Sequence, residues 1–262
     1  MNLNFNGRNA LICGSSQGIG KAVAIELAEL GANVILVARN EIKLKKTLLE
    51  LDTTKNQQHA YICADFSNPG ELKSKIENYL QNKKVLHILV NNTGGPPAGT
   101  VSLAKPEEFL IAFNNHLICN HILAQAVIPG MKAEKFGRII NIISTSVKQP
   151  LPELGVSNTI RAAVANWSKT LATEVASFGI TVNNVLPGAT NTVRLQSIFE
   201  NKAVKTGKSI DEIKKEMLQE IPANRFAESS EIANAIAFLA SPAASYITGI
   251  NVPIDGGRTL CL

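Results

Sequence analysis

Little in this chain provides for disulfides, bound metal or a membrane. Its four cysteines, Cys13, Cys63, Cys119 and Cys261, stand far apart with no C-x-x-C spacing. All but Cys261 lie in apolar stretches where a buried free thiol is at home, so neither a disulfide nor a metal site is expected. No apolar run is as long as a bilayer-spanning helix, and the opening Met1-Asn2-Leu3-Asn4-Phe5-Asn6-Gly7-Arg8 lacks the apolar core of a signal peptide. No membrane contact and a cytoplasmic location are therefore expected. Dense charge of one sign is also missing: the net charge of +5 is spread along the chain, which gives a nucleic-acid partner no support and suits small anionic ligands. Aromatic residues are scarce, with only three tyrosines among 262 residues. No repeat, low-complexity tract or Pro/Gly-rich linker divides the chain, and residues 1–262 are read as one domain.

What is present is alternation. Short runs rich in Val, Ile and Leu at Asn9–Cys13, Asn33–Ala38, His59–Cys63, Leu86–Asn91, Arg138–Ile143, Thr181–Leu186 and Asn251–Ile254 read as seven strands. Helical periodicity fills 19–30, 41–51, 70–82, 105–132, 155–178 and 229–240. Strands separated by helices pair in parallel through right-handed crossovers, so the expected fold is α/β: a three-layer, doubly wound parallel sheet of Rossmann-like type. The polar, helix-prone stretch 193–226 breaks the alternation. It reads either as a lid over the ligand crevice or as an ordinary surface helix with a loop.

The first strand runs into Gly14, Ser15, Ser16, Gln17, Gly18, Ile19 and Gly20, and then into a helical pattern. Glycines at these spacings let the chain turn tightly, bring backbone N–H groups close to a diphosphate and pack the helix on the sheet, with the positive helix terminus facing the anion. After the second strand, the place where an acidic residue would bind a ribose 2′-hydroxyl holds Ala38, followed by Arg39. A carboxylate would repel a 2′-phosphate and an arginine would clamp it, so NADP is expected over NAD. The other reading makes Arg39 a solvated residue after a strand.

Further motifs fall in order along the chain: Asp65 after the third strand; Asn91-Asn92-Thr93-Gly94 after the fourth; Pro187-Gly188-Ala189-Thr190-Asn191-Thr192 after the sixth; and Asp255-Gly256-Gly257 near the end. With these the whole chain resembles the short-chain dehydrogenase/reductases, and its ending resembles their bacterial 3-oxoacyl-(acyl-carrier-protein) reductase branch. The resemblance implies that Asp65 contacts adenine, that Asn91 and Gly94 line the cofactor, that Pro187, Gly188 and Thr192 hold the nicotinamide carboxamide, and that the protein is a homo-oligomer, a tetramer or a dimer.

The family reduces carbonyls with a tyrosine, a lysine four residues later, a serine on the fifth strand and an asparagine on the fourth helix. Ser144 matches the serine. The tyrosine and lysine positions hold Ser157 and Arg161, and the asparagine position holds His116, with Asn115 beside it. An aliphatic hydroxyl is a far weaker acid than a phenol, and a guanidinium does not deprotonate, so Arg161 is expected to bind ribose hydroxyls and add positive field without relaying a proton. His116 is then the best remaining acid; its other reading is a histidine hydrogen-bonded within a helix interface. Ser157 and Arg161 are either ligand contacts or a capped, charged helix face. Lys148, Gln149 and Glu153 belong to a proline-stiffened loop between Ser144 and Ser157. The stretch from Gly94 to Gly99 reads as a rigid wall.

Two functions remain open. One is an NADP-dependent oxidoreductase moving hydride between nicotinamide and a carbonyl or alcohol, with 3-oxoacyl thioesters as the substrate the resemblance implies. The other is a non-catalytic NADP-binding module of the same fold.

Overall fold

The computed structural model describes residues 1–81 and 85–261. Seven strands form one parallel sheet: β1 (Asn9–Cys13), β2 (Asn33–Ala38), β3 (Ala60–Cys63), β4 (Ile88–Asn91), β5 (Gly137–Ile142), β6 (Ile180–Pro187) and β7 (Asn251–Ile254), in the order β3-β2-β1-β4-β5-β6-β7. The order reverses between β1 and β4, and that reversal opens the crevice in which a doubly wound sheet holds its ligand. Alternate residues of β1 serve opposite faces. Ala10 and Ile12 join one core with Leu27 of α1 (Gly18–Glu29) and Ile236 of α9 (Ser229–Ala240). Leu11 and Cys13 join the other, with Ile76 of α3 (Pro69–Leu80), Val127 of α5 (Cys119–Ala133) and Ala172 of α6 (Gly155–Val175). Burial on both faces is why these strands are almost continuously apolar.

The expected helix 70–82 ends at Leu80, and its last position, 82, lies outside the described residues. The helix expected over 105–132 is two pieces, α4 (Pro106–Phe113) and α5, joined by a π-helical turn over Asn114–Ile118. A turn with one extra residue swings the following side chains around the helix, and such turns recur at functional sites. The stretch 193–226 forms α7 (Val193–Thr206) and α8 (Ile210–Gln219), which bury Leu195, Phe199, Ile213 and Met217 against each other in a core of their own. All four cysteines are free, with Cys13 and Cys119 buried, Cys63 partly exposed and Cys261 exposed. Among the described residues no helix is long and apolar enough to cross a membrane, and no group of three His, Cys, Asp or Glu side chains could hold a metal ion.

Candidate active site

A cavity of about 790 Å3 opens at the carboxyl ends of the strands. Its floor is the turn between β1 and α1. Gly14 and Gly18 adopt φ of +59° and +56°, the left-handed region closed to most side chains. A Cβ on Gly20 would stand 2.3 Å from the Gly14 carbonyl oxygen, so the loop closes only on glycine. Gln17, the residue before α1, gives no side-chain cap, and the first turn carries no acidic residue. The amides of that turn therefore point into the cavity uncompensated, beside the positive end of the helix.

The residues expected at the cofactor divide into those on the cavity wall and those behind it. Gly14, Ser16, Gln17, Gly18, Ile19, Arg39, Asp65, Gly94, Pro187, Gly188 and Thr192 are on the wall. Ser15 is not. Its buried hydroxyl accepts the Val37 N–H at 3.0 Å and ties the loop to β2. Gly20 shapes the turn from behind. Asn91 is also behind the wall: its side-chain N–H donates to Asn141 Oδ1 at 2.8 Å, the first rung of a buried amide ladder that continues from Asn141 to Asn184 and from Asn184 to Asn251. Ser15, Gly20 and Asn91 brace the sheet and loop and do not line the cavity. Asn92, the next residue of the same motif, faces it instead and donates to the Gly14 carbonyl at 3.4 Å.

At the β2 end, Arg39 is exposed on the wall and helps hold the Asp65 carboxyl below its usual range, after the larger effect of the Ser67 N–H bond to that carboxylate. A second cation stands nearby. Lys43, on the first turn of α2 (Glu41–Leu49), donates to Gln17 Oε1 at 3.0 Å and so sits at the rim of the glycine loop. The glycine loop thus has a basic neighbour on the next helix.

At the other end, Ser144, Ser157, Arg161 and His116 all reach the cavity. Ser144 follows β5, and its oxygen accepts the Ser146 N–H at 3.1 Å, which leaves the hydroxyl proton to be donated outward. Ser157 and Arg161 are four residues apart on α6 and share a face. Arg161 is buried and donates to the carbonyls of Ile142, at 2.9 Å, and Thr93, at 3.5 Å. Desolvation, with Arg194 adding repulsion, lowers its pKa to about 10, so it stays charged near neutral pH.

His116 corrects an expectation. It lies in the π-helical turn, 2% exposed, with Nδ1 at 2.6 Å from the Thr93 hydroxyl. Burial, then the Arg161 charge, drives its pKa down to about 3. The ring is neutral near pH 7 and holds no spare proton to act as a general acid.

Lys148, Gln149 and Glu153 are absent from the wall. Glu153 instead pairs with Lys205 of α7 at 3.6 Å. Gly94 and Gly95 do form wall, but without positive φ; both Arg161 Nη2 and Arg194 Nη2 come to 3.8 Å from the point where a Cβ on Gly95 would stand. Among the described residues no tyrosine lines the cavity.

The family model described as Enoyl-(Acyl carrier protein) reductase matches residues 14–259. The chain is 34% identical to the 3-oxoacyl-[acyl-carrier-protein] reductase FabG of Vibrio cholerae, over 97% of this chain and 98% of that protein. Among solved structures, the L-sorbose reductase of Gluconobacter frateurii, complexed with NADPH and L-sorbose, superposes with a TM-score of 0.93 at 31% identity over all of both chains. YwfH, an NADPH-dependent reductase involved in bacilysin biosynthesis, gives 0.91 at 28% over 97% of this chain and 99% of that one. The chain belongs to the short-chain dehydrogenase/reductase family.

Proposed function

We propose that the protein is an NADP-dependent oxidoreductase that moves hydride between nicotinamide and a carbonyl or alcohol carbon, with Ser157 and Arg161 in place of the family's tyrosine and lysine. The observation that carries this reading is the meeting of a diphosphate-sized glycine cradle, Arg39, and the Ser144, Ser157 and Arg161 side chains in one cavity. The fit for NADP rests on the open amides of α1 for the diphosphate and on Arg39 and Lys43 for a 2′-phosphate.

Bound there, the nicotinamide would supply or take up the hydride at C4. The chain's own residues do the rest. Ser144 donates its hydroxyl proton in a hydrogen bond to the substrate oxygen. In the reducing direction the C=O pair moves onto that oxygen as the C–H bond forms, and the fixed charge of Arg161 stabilises it. A unit charge about 4 Å from an alkoxide, at an effective dielectric of about 20, is worth roughly 4 kcal/mol, about three powers of ten in rate. A positioned general acid contributes about 10²–10⁴-fold, so the field of Arg161 offsets much of what the missing phenol would give. The proton itself arrives from water by way of the Ser157 hydroxyl, with the neutral Thr93–His116 pair able to pass one proton as it takes another. The α7–α8 segment is read as the lid of this site, since Val193, Leu195 and Ile198 already stand on its wall. A homo-oligomer, as the family resemblance implies, is part of the same reading, and exposed Leu110 and Phe113 of α4 give apolar surface for a second copy to cover.

The test is NADPH oxidation by purified protein over a panel of ketones, keto acids and 3-oxoacyl thioesters. Saturable turnover that Ser144→Ala lowers by at least about a hundredfold supports an enzyme. The absence of any tyrosine from the wall favours one second reading, a non-catalytic NADP-binding module; tight NADPH binding with no turnover on any substrate would establish it.

A further inference from the structure

The cations at the Ser144 end of the cavity have no ion-pair partner among the described residues. Arg161 and Arg194 take part in none of the ion pairs among the described residues. Arg161 is 8% exposed, and its hydrogen bonds go to two backbone carbonyls, Ile142 and Thr93, although a guanidinium carries five donors. Arg194, exposed at the start of α7, donates to the Pro96 carbonyl at 3.1 Å. The Nη2 atoms of both flank the same point above Gly95, each 3.8 Å from it. The two carboxylates on the cavity wall are engaged elsewhere: Asp65 takes the Ser67 N–H, and Glu108 takes the Lys105 N–H in the cap of α4.

A buried guanidinium with no anion costs several kcal/mol, and a fold bears that cost where a ligand removes it. The 2′-phosphate of a dinucleotide does not answer to this pair. The diphosphate cradle lies on β1, and Arg39 follows β2, whereas Arg161 is bonded at the ends of β4 and β5. From β2 to β5 is three strand spacings, about 14 Å, and from β1 to β5 two, about 10 Å. Arg161 thus holds its charge beside Ser144, which also follows β5 and would orient the reacting oxygen.

We infer that the substrate is an anionic carbonyl compound whose carboxylate is held between the guanidinium groups of Arg161 and Arg194, above Gly95. Two guanidiniums converging on one point match the two oxygens of a carboxylate. The glycine at 95 leaves that point open, where a larger side chain would occupy it. This inference rests on the hydride-transfer reading above for its chemistry, though not for its binding step.

The test uses pyruvate, acetoacetate and levulinate, each beside its methyl ester, with the wild type, Arg194→Ala and Arg194→Lys. In the wild type at least one acid is expected to exceed its ester in kcat/KM by about tenfold or more. Arg194→Ala is expected to bring that ratio to within about twofold of unity, mainly through the KM of the acid, while Arg194→Lys keeps much of it and NADPH affinity stays within about twofold. Esters used as well as acids, or an acid preference that survives Arg194→Ala, would overturn the inference. So would a loss of NADPH affinity in Arg194→Ala with the ratio intact, which would assign the pair to the cofactor's own phosphates. If no compound is turned over, the hydride-transfer reading fails while the binding claim is still decided. Calorimetric titration of the protein–NADPH complex with each acid and ester must then give heat for an acid only, and lose it in Arg194→Ala; equal or absent heats for acid and ester would overturn the claim.

Discussion

The two ends of the cavity are built from different materials. The β1–α1–β2 end is made of backbone: left-handed glycines, a Cβ-free contact at Gly20 and the open amides of a helix start. The Ser144 end is made of side chains brought together from five separate segments: the loop after β4, the π-helical turn, the end of β5, α6 and the start of α7. A backbone cradle fits any dinucleotide and tolerates little change. A side-chain cluster can be rewritten residue by residue on an unchanged sheet, which is how one fold carries many chemistries.

That contrast predicts different kinds of damage. The largest is expected at the backbone end: Gly20→Val puts branched carbons where even a Cβ would meet the Gly14 oxygen at 2.3 Å. NADPH binding should fall below detection by calorimetry, and thermal stability should fall too; a variant that still binds NADPH would show the cradle to be elsewhere. Next comes Arg161→Met, which removes a buried cation that has no carboxylate partner. Turnover should drop by about a hundredfold or more, yet the Tm of the protein without ligand should hold or rise, since replacing a buried charge by a well-packed apolar group is often neutral or stabilising. A marked loss of stability would make Arg161 a structural residue and erase the contrast. Smaller effects belong to the 2′-phosphate contacts. Arg39→Ala should weaken NADPH by about tenfold or more and Lys43→Ala by only a few-fold, with NADH unaffected by either, because both are exposed and screened by solvent. The smallest effect is one of pH. His116 has its pKa lowered from 6.5 to about 3 in the folded chain, so the unfolded state alone takes up its proton as the pH drops below about 6.5. Stability is full above that value and declines toward about pH 3, by roughly 2 kcal/mol between about pH 7 and pH 5. Urea unfolding should show this slope, and His116→Gln should flatten it; an unchanged slope would mean the ring is solvated.

The same division decides what could be read beforehand. Strands buried on both faces leave continuous apolar runs, so β1 and β2 lie where the sequence places them. Glycines 14, 18 and 20 are legible because their spacing is their function. Period counting over 105–132 gives a single helix, since one extra residue in a turn hardly disturbs the apolar pattern; the π-helical turn that aims His116 inward was missed with it. The intrinsic pKa of His116 suits an acid as well as a hydrogen-bonded interface residue, and burial with the Thr93 contact favours the second. Lys43 and Arg194 carry no motif of their own; four residues past Arg39 and two residues past Thr192 are the nearest signals available. The motif around Asn91 implies a cofactor residue, and only the ladder across β5 and β6 reveals its structural task.

Whether one cavity accepts a diphosphate on its glycine turn and a further phosphate at Arg39 is most directly measured by isothermal titration of the purified protein with NADPH and, separately, NADH at moderate salt. Saturable heat for NADPH, with NADH at least about tenfold weaker, is the expected result. No heat from either dinucleotide would contradict it.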